Sequence, residues 1–137
     1  MGRILAIDYG QKRVGLAVTD PLRIMANGLD TVGVHEIFDY LAKYLVKEQV
    51  DKFVLGLPKQ MNGEASASMQ YIRPFAKALQ RKFPDIELIY VDERFTSVLA
   101  HKTMQDAGLK KKDRQNKELV DKISATIILQ TYLESNT

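Results

Sequence analysis

Carboxylates close two of the apolar runs in this chain. Asp8 ends the run of residues 4–8, just ahead of Gly10, and Asp92 and Glu93 follow the run of residues 86–91. Short apolar runs bounded by turn residues are typical of buried strands. A carboxylate at the exit of such a strand is costly to bury unless a positive or protic group meets it. Asp8 therefore either closes the turn with its own backbone or takes part in a binding site.

A third carboxylate lies in a helical pattern near the end of the sequence. Asp121 is in line with Ala125, Ile128 and Tyr132, at steps of four, three and four residues. Residues at these steps share one face of a helix, and this face is otherwise apolar. Because a surface acid is unfavourable there, we interpret Asp121 as a third site residue.

These acids have the chemistry of a metal site. Side chains alternate along a strand, so only one of Asp92 and Glu93 shares a site with Asp8. Three carboxylates about 5 Å apart would repel one another by roughly 3 kcal/mol per pair at an effective dielectric constant of about 20, and a cation would remove that penalty. Oxygen ligands in a chain without cysteine favour Mg²⁺ or Mn²⁺ over zinc. Two such ions about 4 Å apart are a known device for attack on a phosphodiester. The two histidines, His35 and His101, are predicted to be ordinary surface residues.

The periodicity of the sequence predicts an alternating framework that positions the acids. The predicted strands cover residues 4–8, 14–19, 28–34, 52–56 and 86–91, and the predicted helices cover 35–48, 65–83, 97–107 and 117–133. The first two strands form a hairpin, the third is an edge strand, and the fourth is parallel to the first. Since an interior proline removes a helix hydrogen bond, the second helix either begins near Arg73 or bends at Pro74. The predicted fold class is α/β, with a mixed five-stranded sheet in the order βββαβαβα, helices on both faces and the site at the carboxyl ends of the central strands.

Length and composition set the class of protein. The 137 residues are predicted to form a single domain over residues 1–137, large enough to bury a core without metals or disulfides. No apolar run approaches the roughly 20 residues of a membrane span, and the start of the first strand close to Met1 leads us to expect no signal peptide. The lack of cysteine excludes thiolate nucleophiles and fits a reducing compartment. We therefore expect a cytoplasmic protein that does not enter a membrane.

Positive charge is concentrated in one predicted loop. Residues 110–117 carry a net charge of +4, whereas the whole chain carries +3. A local positive field attracts a polyanion such as a nucleic-acid backbone, and Lys111, Lys112 and Arg114 are the candidate phosphate contacts. The alternative is a solvated loop whose lysines serve only solubility.

Four stretches of the chain resemble, in order, the motifs of the YqgF-type Holliday-junction-resolvase-like family. They are Ile7-Asp8-Tyr9-Gly10, Gly56-Leu57-Pro58 with Met61-Asn62-Gly63, Asp92-Glu93-Arg94-Phe95-Thr96-Ser97, and Asp121 with Ser124-Ala125 and Ile128-Leu129-Gln130. The resemblance spans nearly the whole chain. It implies an RNase H-like fold, a bacterial cytoplasmic protein and a nuclease of precursor 16S ribosomal RNA, with Holliday-junction resolution as the alternative role.

The resemblance also implies roles for individual residues. Asp8, Glu93 and Asp121 would form the catalytic and metal-binding set for Mg²⁺ or Mn²⁺, with Asp92 as the alternative to Glu93. RNase H-like nucleases often take their second acid from the strand after the first helix, but here that strand ends at Gly56 without one.

Further residues would contact the nucleic acid. Lys111, Lys112 and Arg114 would hold phosphates, and Asn62 would line the site with the loop of residues 56–58. Arg94 would contact the scissile phosphate or pair with a neighbouring acid. Tyr9 would stack on a base or, as the favoured alternative, pack beside the hairpin.

Two other classes of protein share some of these sequence features. The strand, aspartate and glycine hairpin also occurs in actin-like ATPases and sugar kinases, although those proteins need two such domains. A non-catalytic module that binds nucleic acid during ribosome assembly would carry the same basic loop. The expected partners are precursor ribosomal RNA or branched DNA, together with the ribosome, and the expected oligomeric state is a monomer or a weak homodimer.

Overall fold

The computed structural model describes residues 2–57, 69–92 and 117–135. In these residues the order of elements is βββαβαβα, as predicted. The strands are β1 (Arg3–Tyr9), β2 (Arg13–Thr19), β3 (Ala26–Gly33), β4 (Val50–Leu57) and β5 (Glu87–Asp92), and the helices are α1 (Ile37–Lys47), α2 (Met69–Lys82) and α3 (Lys117–Ser135). The helix predicted over residues 97–107 and most of the basic loop lie outside the described residues.

The five strands form one mixed sheet in the order β3-β2-β1-β4-β5. β1 pairs antiparallel with β2 and parallel with β4, and β5 continues the parallel part of the sheet beside β4. The predicted hairpin, the parallel fourth strand and the edge position of β3 are therefore confirmed. β1 lies at the centre, so its carboxyl end is flanked by strands on both sides.

Helices cover both faces of the sheet, as predicted. Leu5 and Ile7 of β1 belong to a core that includes residues of α1 and α2. Ile4 and Ala6 belong to a second core, on the other face, with Ala125, Ile128, Leu129 and Tyr132 of α3. The alternation of side chains along β1 thus separates two cores, and the even-numbered positions face α3.

Tertiary packing keeps α2 helical through Pro74. Backbone of α2 is already helical at Met69, so the helix does not begin at Arg73, and Pro74 lies inside it. Ile72, Phe75 and Leu79 are buried in the first core. Burial of this apolar face offsets the hydrogen bond that Pro74 cannot donate.

Candidate metal centre

Asp8 is the penultimate residue of β1 and faces α3. Its direct partner across the antiparallel pair is Gly15 of β2. On the other side, Ile7 pairs with Leu55, so Gly56 of β4 follows in register beside Asp8. Partners in register share a face of the sheet. Asp8 is therefore a partly buried carboxylate flanked by two glycines, with no Cβ beside it on either neighbouring strand.

Asp121 approaches the same place from α3. If Gly15 carried a Cβ, that atom would lie 2.6 Å from the carbonyl carbon of Asp121 and 3.1 Å from its Cβ. The helix backbone can rest on the sheet at this point only because Gly15 has no side chain. Asp8 and Asp121 thus flank the same glycine, on the same face of the sheet.

Arg13 pairs with Asp121 on this face. Its Nε donates a hydrogen bond to Oδ2 of Asp121 at 2.8 Å, and the two side chains are 35% and 23% exposed. Arg13 is the first residue of β2 and shares a face with Gly15, two residues later. The pair joins the turn of the hairpin to the last helix. This contact was not predicted from the sequence, although the alternation of β2 places Arg13 on the face of Asp8.

The two candidates for the third acid are the last residue of β5 and the residue that follows it in sequence. Leu57 of β4 pairs with Asp92, the last residue of β5, whereas Glu93 lies outside the described residues. Within residues 2–57, 69–92 and 117–135, no group of three or more His, Cys, Asp or Glu side chains is arranged to hold a metal ion. The structure therefore places two of the predicted acids, Asp8 and Asp121, next to Gly15.

The predicted nucleic-acid contacts also lie outside the described residues. They are Asn62, Arg94, Lys111, Lys112 and Arg114. His35 is exposed, as predicted for an ordinary surface residue.

Tyr9 packs against α2 on the face opposite to α3. Its ring stacks on that of Phe75 with centroids 4.0 Å apart and an interplanar angle of 15°, and the ring of Tyr71 lies 6.1 Å away. Burial, followed by the neighbouring Tyr71, raises the pKa of the Tyr9 phenol. Tyr9 is therefore packed in the protein, as favoured over base stacking, but its partners belong to α2 rather than to the hairpin.

Comparison with solved structures defines the class of fold. The chain is similar to T. thermophilus RuvC, solved in complex with a Holliday junction substrate, with a TM-score of 0.60 and 14% identity over 100% of this chain and 98% of that one. It is also similar to the Fowlpox virus resolvase, solved with substrate Holliday junction DNA, with a TM-score of 0.57 and 14% identity over 98% of each chain. The protein therefore has the RNase H-like fold of these resolvases.

Sequence comparison defines the family. The family model described as "RuvX: Holliday junction resolvase" matches residues 2–135. A protein of Bacteroides thetaiotaomicron named "Putative pre-16S rRNA nuclease" is 63% identical over 135 residues, which cover 98% of each chain. The chain belongs to the RuvX family, and the resemblance to the YqgF-type family is confirmed. In the part of the chain that the structure describes, no helix has the length and apolar character needed to cross a membrane.

Proposed function

We propose that this protein is a metal-dependent nuclease that hydrolyses phosphodiester bonds during maturation of precursor 16S ribosomal RNA in the cytoplasm. The observation that carries the proposal is the placement of Asp8 and Asp121 on either side of Gly15, at the carboxyl edge of the sheet. The name of the Bacteroides relative supports the choice of substrate, and the resolvase fold supports phosphodiester chemistry. We also propose that residues 1–137 form a single nuclease domain.

The donor set fits a hard divalent cation. Asp8 and Asp121 supply carboxylate oxygens, and the chain contains no cysteine that would favour a softer metal. Gly15 allows the backbone of α3 to approach the sheet next to Asp8, and Gly56 places no Cβ beside Asp8 on β4. When bound, Mg²⁺ or Mn²⁺ would activate water and stabilise negative charge on the phosphate.

Each acid has a defined task in this proposal. Asp8 is fixed by the central strand and would be the anchor, while α3 carries Asp121, whose carboxylate would exchange its ion pair with Arg13 for the metal. Glu93 would be the third ligand, because Ile89 and Val91 pack against the core that includes α3 and the alternation of the sequence predicts the same face for Glu93. Asp92 remains the alternative to Glu93.

Residues outside the carboxylate set would hold the nucleic acid. Lys111, Lys112 and Arg114 are proposed to contact phosphates electrostatically. Arg94 and Asn62 are proposed to contact the strand next to the scissile bond. These roles follow from the residue types and from the family motifs.

The test is cleavage of a precursor 16S ribosomal RNA fragment with Mn²⁺, Mg²⁺ or chelator. We expect cleavage that requires a metal and falls at least about a hundredfold in Asp8→Asn, because even outer-shell changes at metal sites cost 10–100-fold. Asp85→Asn is the matched control, since Asp85 is an exposed acid in the turn before β5. Full activity of Asp8→Asn would contradict the proposal. Absence of cleavage with every metal, with RNA binding retained, would instead favour the non-catalytic assembly module.

A second candidate function is Holliday-junction resolution. It is favoured by the fold similarity to two resolvases that were solved with junction substrates. A four-way DNA junction in the same assay separates the two functions. Preferential cleavage of the junction over the RNA would replace the ribosomal substrate with branched DNA and leave the proposed carboxylate chemistry intact.

A further inference from the structure

We infer that the outer face of α2 is a second nucleic-acid contact surface, which binds the phosphate backbone beyond the carboxylate site. This surface, the α2 ridge, consists of Arg73, Lys77 and Arg81. The nature of the ligand rests on the proposed function, and the position and charge of the ridge come from the structure.

The charge of α2 is unusual for a helix of this chain. Met69–Lys82 contains four basic residues and no Asp or Glu, so it carries +4 while the whole chain carries +3. The helix dipole favours basic residues only in the last turn, which accounts for Arg81 and Lys82 but not for Arg73. By contrast, α1 has Asp39 in its first turn and Lys47 in its last. The basic character of α2 therefore exceeds what helix stability requires.

The ridge has the spacing of a phosphate-binding surface. Its three residues are four positions apart and so lie along one side of the helix. At 1.5 Å per residue they extend over about 12 Å, which is roughly the length along the duplex axis of three nucleotide steps of 3.4 Å each. A row of cations of this length can follow several consecutive phosphates.

The cations of the ridge are available to a ligand. Arg73, Lys77 and Arg81 are exposed, and none forms an ion pair with any residue of 2–57, 69–92 or 117–135. Lys77 and Arg81 line a shallow depression together with Gln80. An exposed positive row without acidic neighbours on its own helix complements a polyanion.

The first residue of the ridge lies near the carboxyl edge of the sheet, on the face opposite to α3. The inner face of α2 contacts β1 through Tyr71 and Phe75, which pack against Tyr9. Tyr9 is adjacent in sequence to Asp8, and Arg73 lies between Tyr71 and Phe75 on α2. A strand that passes from Asp8 over the carboxyl edge of the sheet would therefore meet the beginning of the ridge on the opposite face.

The experiment compares two double variants with equal loss of charge. Lys77→Gln with Arg81→Gln removes two charges from the ridge, and Lys43→Gln with Lys47→Gln removes two exposed charges at the same spacing from α1. Fluorescence anisotropy would measure binding of a labelled single-stranded RNA and of a four-way DNA junction, in chelator and over a range of salt concentrations. We expect the ridge variant to bind about tenfold more weakly near 0.1 M salt, with a slope of log K against log salt reduced by roughly 1.4 to 1.8. The α1 variant should bind as the wild type does.

The outcomes separate this inference from the proposed function. Wild-type affinity and salt slope of the ridge variant on both nucleic acids would overturn the inference, even if the protein cleaves RNA. A loss of affinity for either nucleic acid, absent from the α1 variant, would support the ridge even if no cleavage were found with any metal. Because all four substituted residues are exposed, unchanged melting temperatures should show that both variants fold.

Discussion

Gly15 is the residue on which the candidate site depends most directly. We expect Gly15→Ala to lower the free energy of unfolding by about 3 kcal/mol, the upper end for overpacking, because the added Cβ would collide with the backbone carbonyl of Asp121. Gly28→Ala is the matched control, since a Cβ on Gly28 would meet nothing closer than the hydroxyl of Thr126 at 3.5 Å. Urea unfolding measures both changes. Equal stability of the two variants would show that α3 does not rest on Gly15.

Arg13 is expected to compete with a cation for Asp121. Its ion pair is partly exposed, so Arg13→Gln should cost no more than about 1 kcal/mol of stability without metal. With saturating Mn²⁺, the rise in melting temperature should be larger in Arg13→Gln than in the wild type, since a divalent ion then becomes the main partner of the carboxylate. Thermal melting with and without Mn²⁺ provides the measurement.

Arg3→Gln is the control for this effect. Arg3 pairs with Glu48 at 3.2 Å, at the opposite end of β1. Its loss should leave the Mn²⁺ response unchanged. A smaller Mn²⁺ response in Arg13→Gln than in the wild type would mean that Arg13 assists the metal.

Two residues of the candidate site could be proposed from the sequence. Asp8 was predicted from the end of an apolar run and Asp121 from an acid on an apolar helix face. The roles of Arg13 and Gly15 could not be predicted in the same way, because their contacts with Asp121 join residues more than 100 positions apart. Such contacts depend on strand register and helix placement, which a local pattern does not specify.

At the scale of elements, Tyr40 links α1 to the edge strand β3. Burial, followed by the charge of Asp30 and a hydrogen bond with it, raises the pKa of Tyr40 to about 12. The folded-state pKa lies above the ordinary value of 10.0, so this stabilisation is complete below pH 10 and is lost as the pH rises toward 12. We expect Tyr40→Phe to be about 1 kcal/mol less stable than the wild type at pH 8, with the difference shrinking above pH 10.

Urea unfolding at pH 8 and pH 11 tests this link. Tyr90→Phe is the control, because Tyr90 is 48% exposed on β5 and should show no such difference. A stability difference for Tyr40→Phe that stays constant from pH 8 to pH 11 would contradict the assignment.

The elements themselves were largely predictable. All eight described strands and helices were predicted in type and order, because apolar periodicity records which face each element buries. Boundaries were less predictable: β3 begins at Ala26, two residues before the predicted start, because its pairing with β2 extends to Thr19. The course of α2 through Pro74 depends on tertiary packing, so the sequence left two alternatives open.

At the scale of the whole molecule, metal binding should raise the free energy of unfolding. A ligand that binds only the folded state at 100 times its dissociation constant adds about 2.7 kcal/mol. We expect Mn²⁺ to stabilise the wild type by an amount of this order, and Asp8→Asn to lose most of the effect. Asp85→Asn, which changes an exposed acid away from the site, should keep it. An equal response of all three proteins would indicate that Mn²⁺ binds elsewhere.

The central claim is that Asp8 and Asp121 hold one divalent cation between them. A crystal structure of the Mn²⁺-soaked protein, with the ion located by anomalous scattering, tests it most directly. We predict an ion within about 2.2 Å of a carboxylate oxygen from both residues, with Glu93 as the third protein ligand. An ion bound to neither aspartate, or to only one of them, would contradict the claim.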